Sequence, residues 1–316
     1  MNLIKYSIIL PIYKDRKKQF KIALKAYSEQ TYPKDKFELI VIDQGNDENI
    51  EELFTSYGLI IKYIKVDLHL VGYSGAQNPS YAQNVGIKES LGEYIILTSP
   101  EVCFERLALE KIDSKISPNM MLYCSVAETA SLDENVLFDY NYLVKMRTGM
   151  WLSHPRHRRL PMSYFMAVLP KQPVIDIGGI DEDFMQAIGY EDDDFGRRIQ
   201  TKLVPLYDDT IVGAHLSHSR SYQQGSGLSK VEVGRKLYTA KINYPGGYPI
   251  VANKNREWGS AKGIVSKVVY IKGTKQETND NEKITVFTSC YNQALYLEKA
   301  ILSVLNQTYS NFEYLL

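Results

Sequence analysis

The chain has 316 residues, long enough for one large α/β domain or two modest ones. Hydrophobic residues make up 44% and charged residues 23%, an ordinary soluble balance that predicts a sizeable core. Lys plus Arg and Asp plus Glu stand at 37 each, so the formal net charge is zero, which argues against a bulk electrostatic partner such as nucleic acid.

The three cysteines, Cys103, Cys124 and Cys290, are far apart and show no CxxC spacing. That usage predicts a reduced, cytoplasmic protein. The first residues lack the long apolar stretch and cleavage site of a signal peptide. No run approaches the length of a membrane-spanning helix, so any membrane contact is expected to be peripheral.

In chain order, Tyr6 to Ile12 reads as a buried parallel strand, apolar and rich in β-branched residues. Gln19 to Glu29 suits a helix, and Thr31-Tyr32-Pro33 stops it. Phe37 to Ile42 predicts a second buried strand, Glu48 to Tyr57 a helix, and Leu59 to Val66 a third strand. A loop over Gly72 to Pro79 leads into a helix from Ser80 to Ser90 and a fourth strand at Tyr94 to Leu97. This alternation predicts a mostly parallel, doubly wound sheet with ligands held at the carboxyl ends of its strands. Further on, Leu107 to Ile112 and Leu137 to Met146 are candidate helices, and Phe165 to Leu169 is a short apolar stretch. An acidic helix is expected over Glu191 to Ile199 and a strand over Val204 to Ala214. Residues 252–283 read as a mostly polar linker, apart from a short apolar run at Val268 to Ile271, which leaves 1–251 as the main domain.

The end of the chain repeats its beginning. Residues 284–316 and residues 7–39 share, in order, an apolar strand, a tyrosine (Tyr291 against Tyr13), a helix and a Gln-Thr-Tyr word (Gln307 to Tyr309 against Gln30 to Tyr32). Phe-Glu closes both copies, at Phe312-Glu313 and Phe37-Glu38. Residues 284–316 are therefore expected to be the start of a second, similar domain, belonging to a longer protein or a truncated reading frame.

Pro11-Ile12-Tyr13-Lys14, Gln30-Thr31-Tyr32-Pro33, Asp43-Gln44-Gly45-Asn46, and Asn84-Val85-Gly86 followed by Gly92-Glu93-Tyr94-Ile95 resemble the opening of glycosyltransferase family 2 domains of the GT-A type. Gly178 to Phe184 (GGIDEDF) and Gly189 to Phe195 (GYEDDDF) resemble the acceptor-side segment of galactosyltransferase-like and chondroitin-polymerase-like members. The matches run from residue 6 to about residue 220. They imply the GT-A nucleotide-diphospho-sugar transferase fold, a nucleoside-diphosphate sugar donor such as a UDP-sugar, and a glycan or lipid-linked glycan acceptor. The tandem copy is similar to bifunctional polymerases, which implies synthesis of surface or capsular polysaccharide.

Inverting transfer needs a base on the acceptor hydroxyl and stabilisation of the departing diphosphate. By the resemblance, Asp192 is the candidate base and Glu191 an acceptor-binding group. The flanking charges of Glu191, Asp193 and Asp194 would raise the Asp192 pKa toward a useful range. The competing explanation is an acidic first helical turn that complements the helix dipole. The family's Asp-x-Asp position holds Thr98-Ser99-Pro100-Glu101 here, which leaves Glu101 as the one carboxylate for a divalent metal, Mn or Mg. His218, with His215 second, is the candidate metal-binding histidine. Strand alternation would send the two to opposite faces, so that only one reaches the site.

For the nucleotide, Pro11 and Tyr13 are candidate walls for the base and Asp43 a candidate acceptor of its hydrogen bonds, against a plain turn-capping role for Asp43. Gly72, Asn78 and Asn84 are candidates for the pyrophosphate side. Arg156, His157, Arg158 and Arg159 fit an anion site or, equally, a solvated surface run. Two other functions compete. A nucleotidyltransferase would carry a glycine-rich loop after the first strand, where this chain has Tyr13-Lys14-Asp15-Arg16. A non-catalytic sugar-nucleotide or glycan-binding module would explain the missing Asp-x-Asp.

Overall fold

The computed structural model describes residues 4–45, 48–73, 78–129, 140–153, 165–218, 226–276, 284–288, 297, 300–301, 304 and 312–315. The basic run 156–159, Cys290, and the Tyr291 and Gln307-Thr308-Tyr309 words of the repeat lie outside them. The chain divides into one unit over 1–276 and a second over 277–316.

Eleven strands form the sheet of the first unit among the described residues. Its parallel half contains β1 (Tyr6–Ile12), β2 (Phe37–Asp43), β3 (Ile60–Val66) and β4 (Tyr94–Leu97), in the spatial order β3-β2-β1-β4. The mixed half continues through β8 (Ala167–Pro170), β6 (Met120–Thr129), β9 (Val204–Leu216) and β5 (Val102–Phe104), with β7 (Arg147–Ser153) beside β6. Helices α1 (Lys17–Ser28), α2 (Ser80–Glu89), α3 (Ala108–Lys115), α4 (Tyr140–Met146), α5 (Lys171–Asp176), α6 (Glu191–Ile199) and α7 (Ser226–Ile242) complete the unit.

Strand alternation sends Ile8, Leu10 and Ile12 into a core with Phe20, Ala23, Leu24 and Tyr27 of α1. Ile9 joins the opposite core, with Tyr81, Ala82 and Val85 of α2. Burial on both faces explains why these strands read as continuous apolar runs rather than alternating ones. The strand order reverses at β1, so a crevice opens between the loops that leave the carboxyl ends of β1 and β4.

Two expectations need correction. The helix expected over 48–57 is a single 3-10 turn at Glu51–Leu53. Ile50, Leu53 and Phe54 have helical spacing, yet one turn buries all three, and Gly58 at φ 64° then redirects the chain into β3. The stretch expected as a linker, 252–283, contributes β10 (Ile264–Ile271) and β11 (Thr274–Gln276) to the sheet. β10 lies antiparallel to β3, its Tyr270 is buried in the core, and the first unit extends to Gln276. Ser266 and Lys267 interrupt its apolar run, and the polar stretches on either side masked a strand that covers an otherwise open sheet edge. No helix among the described residues is long and apolar enough to cross a membrane.

In the second unit, β12 (Ile284–Phe287) runs parallel to β13 (Phe312–Leu315). Ile284 pairs with Phe312 and Thr285 with Glu313, as Tyr6 pairs with Phe37 and Ser7 with Glu38 in the first unit.

Candidate active site

The loop after β1 and the loop after β4 meet at the crevice. Glu101 ends the β4 loop and is nearly buried. His218 Nε2 donates to Glu101 Oε1 at 2.8 Å, and His215 Nε2 lies 3.7 Å from the same oxygen. β9 delivers both histidines. His215 pairs with Val102 of β5, the residue after Glu101, and the Leu216 N–H donates to the Glu101 carbonyl at 2.9 Å. Phe165 braces the His215 ring edge-on, with centroids 5.2 Å apart.

The expectation that one histidine alone reaches the site is wrong. β9 ends at Leu216, so alternation no longer governs His218, and the chain turns it back beside His215. The ligand atoms of Glu101, His215 and His218 all lie within 4.8 Å of one another. Burial pulls the Glu101 carboxyl upward, but the hydrogen bonds and charges of His215 and His218 outweigh it and hold it well below the usual carboxylate range.

Arg16, which the sequence reading passed over, stands at the start of α1 with Nε 3.9 Å from Glu101 Oε1. Gln19 ties the same end of α1 to the end of β9 through the Ser217 carbonyl, at 3.2 Å. The signal available for Arg16 was its place in the loop after β1, where this fold gathers ligand groups.

Asp43 ends β2 beside Ile12 of β1. Its Oδ1 accepts from the Gly45 N–H at 2.9 Å and its Oδ2 from the Tyr63 hydroxyl at 2.6 Å. Burial and the Asp43 charge push the Tyr63 phenol far above its ordinary value, so it remains a donor. A cavity of about 590 Å³ opens here, lined in part by Asp43, Glu51, Tyr63, Lys65 and Val265. Pro11 and Tyr13 are half-buried in the adjoining β1 segment. Lys14 N–H to Gly45 carbonyl, at 3.4 Å, joins the loops after β1 and β2.

The acidic helix α6 supplies the other carboxylates. Glu191 is buried, and Oε2 accepts from Asn78 Nδ2 at 3.0 Å. Asn78 stands two residues before α2, whose first turn lies at the carboxyl edge of the strands, so this bond fixes Glu191 at that edge. Asn78 thus acts on a carboxylate and has its Oδ1 occupied by the Ser80 N–H at 2.9 Å. Burial raises the Glu191 carboxyl. Asp192 is raised well above the ordinary range by burial first, then by the charges of Glu191 and Asp193. Asp194 takes no part in this, because Arg198 Nε and the Tyr248 hydroxyl bond it at 2.7 and 2.8 Å. The Asp192 charge reaches the Tyr123 phenol. Tyr123 pairs with Ala167, which pairs with Leu97 at the carboxyl end of β4.

Asn84 does not face a pyrophosphate. It is fully buried, donating to Ile180 O at 2.8 Å and Glu182 Oε1 at 2.9 Å while accepting from the Ile180 N–H at 2.8 Å. Its polar atoms are consumed in fastening α2 to the Gly178–Glu182 segment. Gly72 is an exposed left-handed cap of a 3-10 turn, φ 87°.

Residues 7–224 match the family model described as glycosyltransferase like family 2. The chain belongs to this family. Glycosyltransferase AglE of Haloferax volcanii is 29% identical over 112 residues, 35% of each chain. An uncharacterized glycosyltransferase of Rickettsia bellii is 33% identical over 107 residues, 34% of this chain and 14% of that protein. S. aureus TarS superposes with a TM-score of 0.54 at 15% identity, covering 76% of this chain and 40% of TarS. TarS 1–349 in complex with UDP-GlcNAc superposes at 0.52, with 76% and 67% covered. The chain therefore spans 35% or less of the two curated relatives and 40% of TarS. The glycosyltransferase family 2 member has the α/β fold of GT-A-type transferases, with Asp43 at the end of one of the parallel strands β1 to β4.

Proposed function

We propose that this chain transfers a sugar, with inversion, from a nucleoside-diphosphate donor to a glycan hydroxyl. One observation carries the reading. Asp43 with its cavity, the Glu101–His215–His218 cluster and the Glu191–Asp192 pair all stand at the carboxyl edge of the strands, around the crevice where the strand order reverses. The UDP-GlcNAc complex of TarS 1–349 supports a UDP-sugar as donor.

In this reading Asp43 and Tyr63 hold the base, with Pro11 and Tyr13 as its walls. Asp192 takes the proton of the acceptor hydroxyl, and its raised affinity for protons suits that task. Glu191, held by Asn78, orients the acceptor.

The residues fit a divalent cation, Mn or Mg. Glu101 Oε2 and His215 Nδ1 are buried with no hydrogen-bond partner, beside a carboxylate–histidine pair of ligand chemistry. Glu101, His215 and His218 would hold the ion, which supplies charge stabilisation to the departing diphosphate. Arg16 adds a fixed positive charge on the same side. The absent Asp-x-Asp favours a second reading, a module that binds the sugar nucleotide without transferring it.

The expected acceptor is a glycan or lipid-linked glycan of surface or capsular polysaccharide, met on the cytoplasmic side at the inner face of the membrane. Residues 284–316 are proposed as the start of a second such domain, supported by the matched strand register. A donor screen tests the central claim. The protein is incubated with nucleotide sugars and Mn²⁺, and released diphosphate is measured by mass spectrometry. Turnover of one sugar nucleotide is expected. Binding without release selects the module reading, and the absence of both defeats the proposal.

A further inference from the structure

The turn that presents Glu191 and Asp192 is strained. Gly189 and Tyr190 adopt successive left-handed conformations, φ 76° and 71°. Glycine tolerates this region, but a bulky residue such as tyrosine enters it only when its surroundings impose it. This turn sets the direction in which both carboxylates leave α6.

Helix α7 supplies the constraint. The Ile188 N–H donates to the Lys230 carbonyl at 3.2 Å. Gly234 lets the helix approach so closely that a Cβ there would stand 2.7 Å from the Gly189 oxygen and 3.2 Å from Tyr190 Cδ2. The Tyr190 ring packs against Tyr238, centroids 5.8 Å apart. Near the helix end, the Lys241 ammonium pairs with Asp181 and lies 3.6 Å from Asp194 Oδ1. Apolar burial does not explain this placement, because Leu228, Val233 and Ile242 of α7 face solvent. Its small and charged residues meet the turn instead.

We propose that α7 is a clamp that positions the Glu191–Asp192 turn, with Gly234 and Lys241 as its positioning residues. This rests on Asp192 serving as the base. Lys241 bridges the carboxylates before and inside α6, and Gly234 holds the left-handed pair between them. Neither residue touches substrate in this role.

The test uses Gly234→Ala, Lys241→Met and Lys241→Arg in the full chain, with two readouts. Amide hydrogen exchange over 188–194 should rise about tenfold or more in the Ala and Met variants, with β1 to β4 unchanged. UDP release from UDP-GlcNAc in water should show kcat lowered about a hundredfold with donor KM within about twofold, and Lys241→Arg should restore it. Unchanged exchange over 188–194, or a rise spread equally through β1 to β4, overturns the clamp. A specific rise in exchange with kcat intact overturns the positioning role. Where UDP-GlcNAc does not turn over, the exchange result decides the clamp alone. Transfer that persists in Asp192→Asn defeats the base assignment and leaves the exchange result standing.

Discussion

Ser7 donates its hydroxyl to Glu38 Oε1 at 2.6 Å in the interior of the first unit, and Thr285 donates to Glu313 Oε1 at 2.7 Å in the second. The two pairs occupy equivalent positions in the paired strands, so the repeat extends from words of sequence to a side-chain hydrogen bond between neighbouring strands. In the first unit the pair does more. Glu38 Oε1 also accepts the Leu91 N–H at 2.7 Å, and Ser7 Oγ accepts the Gly92 N–H at 2.8 Å. Two strands and the turn between α2 and β4 are thereby joined through one carboxylate.

Glu38→Ala should therefore destabilise the protein by about 2–3 kcal/mol, because it strips partners from a buried hydroxyl and from the Leu91 N–H. The denaturation midpoint in urea checks this, and an unchanged midpoint would show the network to be dispensable.

Asp192→Asn should lower transfer by about a hundredfold or more while UDP binding by calorimetry stays intact. The base must be ionised, and burial with the charges of Glu191 and Asp193 raises its pKa. The wild-type rate should thus climb with pH through a range above that of ordinary carboxylates. For stability the sign is opposite. The folded state keeps the Asp192 proton longer than the unfolded chain, so stability falls as pH rises from the ordinary aspartate value to the raised one. Asp192→Asn should accordingly melt higher than wild type near neutral pH, with the gap closing in acid.

Mn²⁺ should raise the melting temperature of the wild type, and a chelator should reverse it. Glu101→Ala and His218→Ala should abolish the shift. Equal shifts in wild type and Glu101→Ala would remove this cluster from consideration as the metal site.

Gly178→Ala should be among the most damaging small substitutions. The glycine sits at φ 75°, and a Cβ there would overlap the carbonyl oxygen of Ala252. Strain and backbone displacement together predict about 3 kcal/mol or more of lost stability, read from the same urea titration.

Much of this protein was legible in its sequence because its strands are buried on both faces and announce themselves as apolar runs. The bounds of β1 and β4 and of the acidic helix follow from such local patterning, and Asp43 stands out as a candidate because a strand end is a place the chain itself marks. Other features had no local signal. Ile50, Leu53 and Phe54 carry helical spacing that a single turn satisfies, so periodicity overstated the helix. The polar residues around β10 gave no sign of its pairing partner, β3, which lies some two hundred residues earlier.

Local sequence determined the alternating strands and helices of the parallel half and the residue types available for chemistry, because hydrophobic period and turn chemistry act over a few residues. Which side chains meet was decided only by tertiary structure. Asn84 turned inward to Glu182 rather than outward to a ligand, both histidines closed on Glu101, and Arg16 arrived from a strand end far away in the chain. These juxtapositions depend on strand order, on where β9 ends, and on how buried polar groups find partners across the fold. No short stretch of sequence encodes any of those by itself.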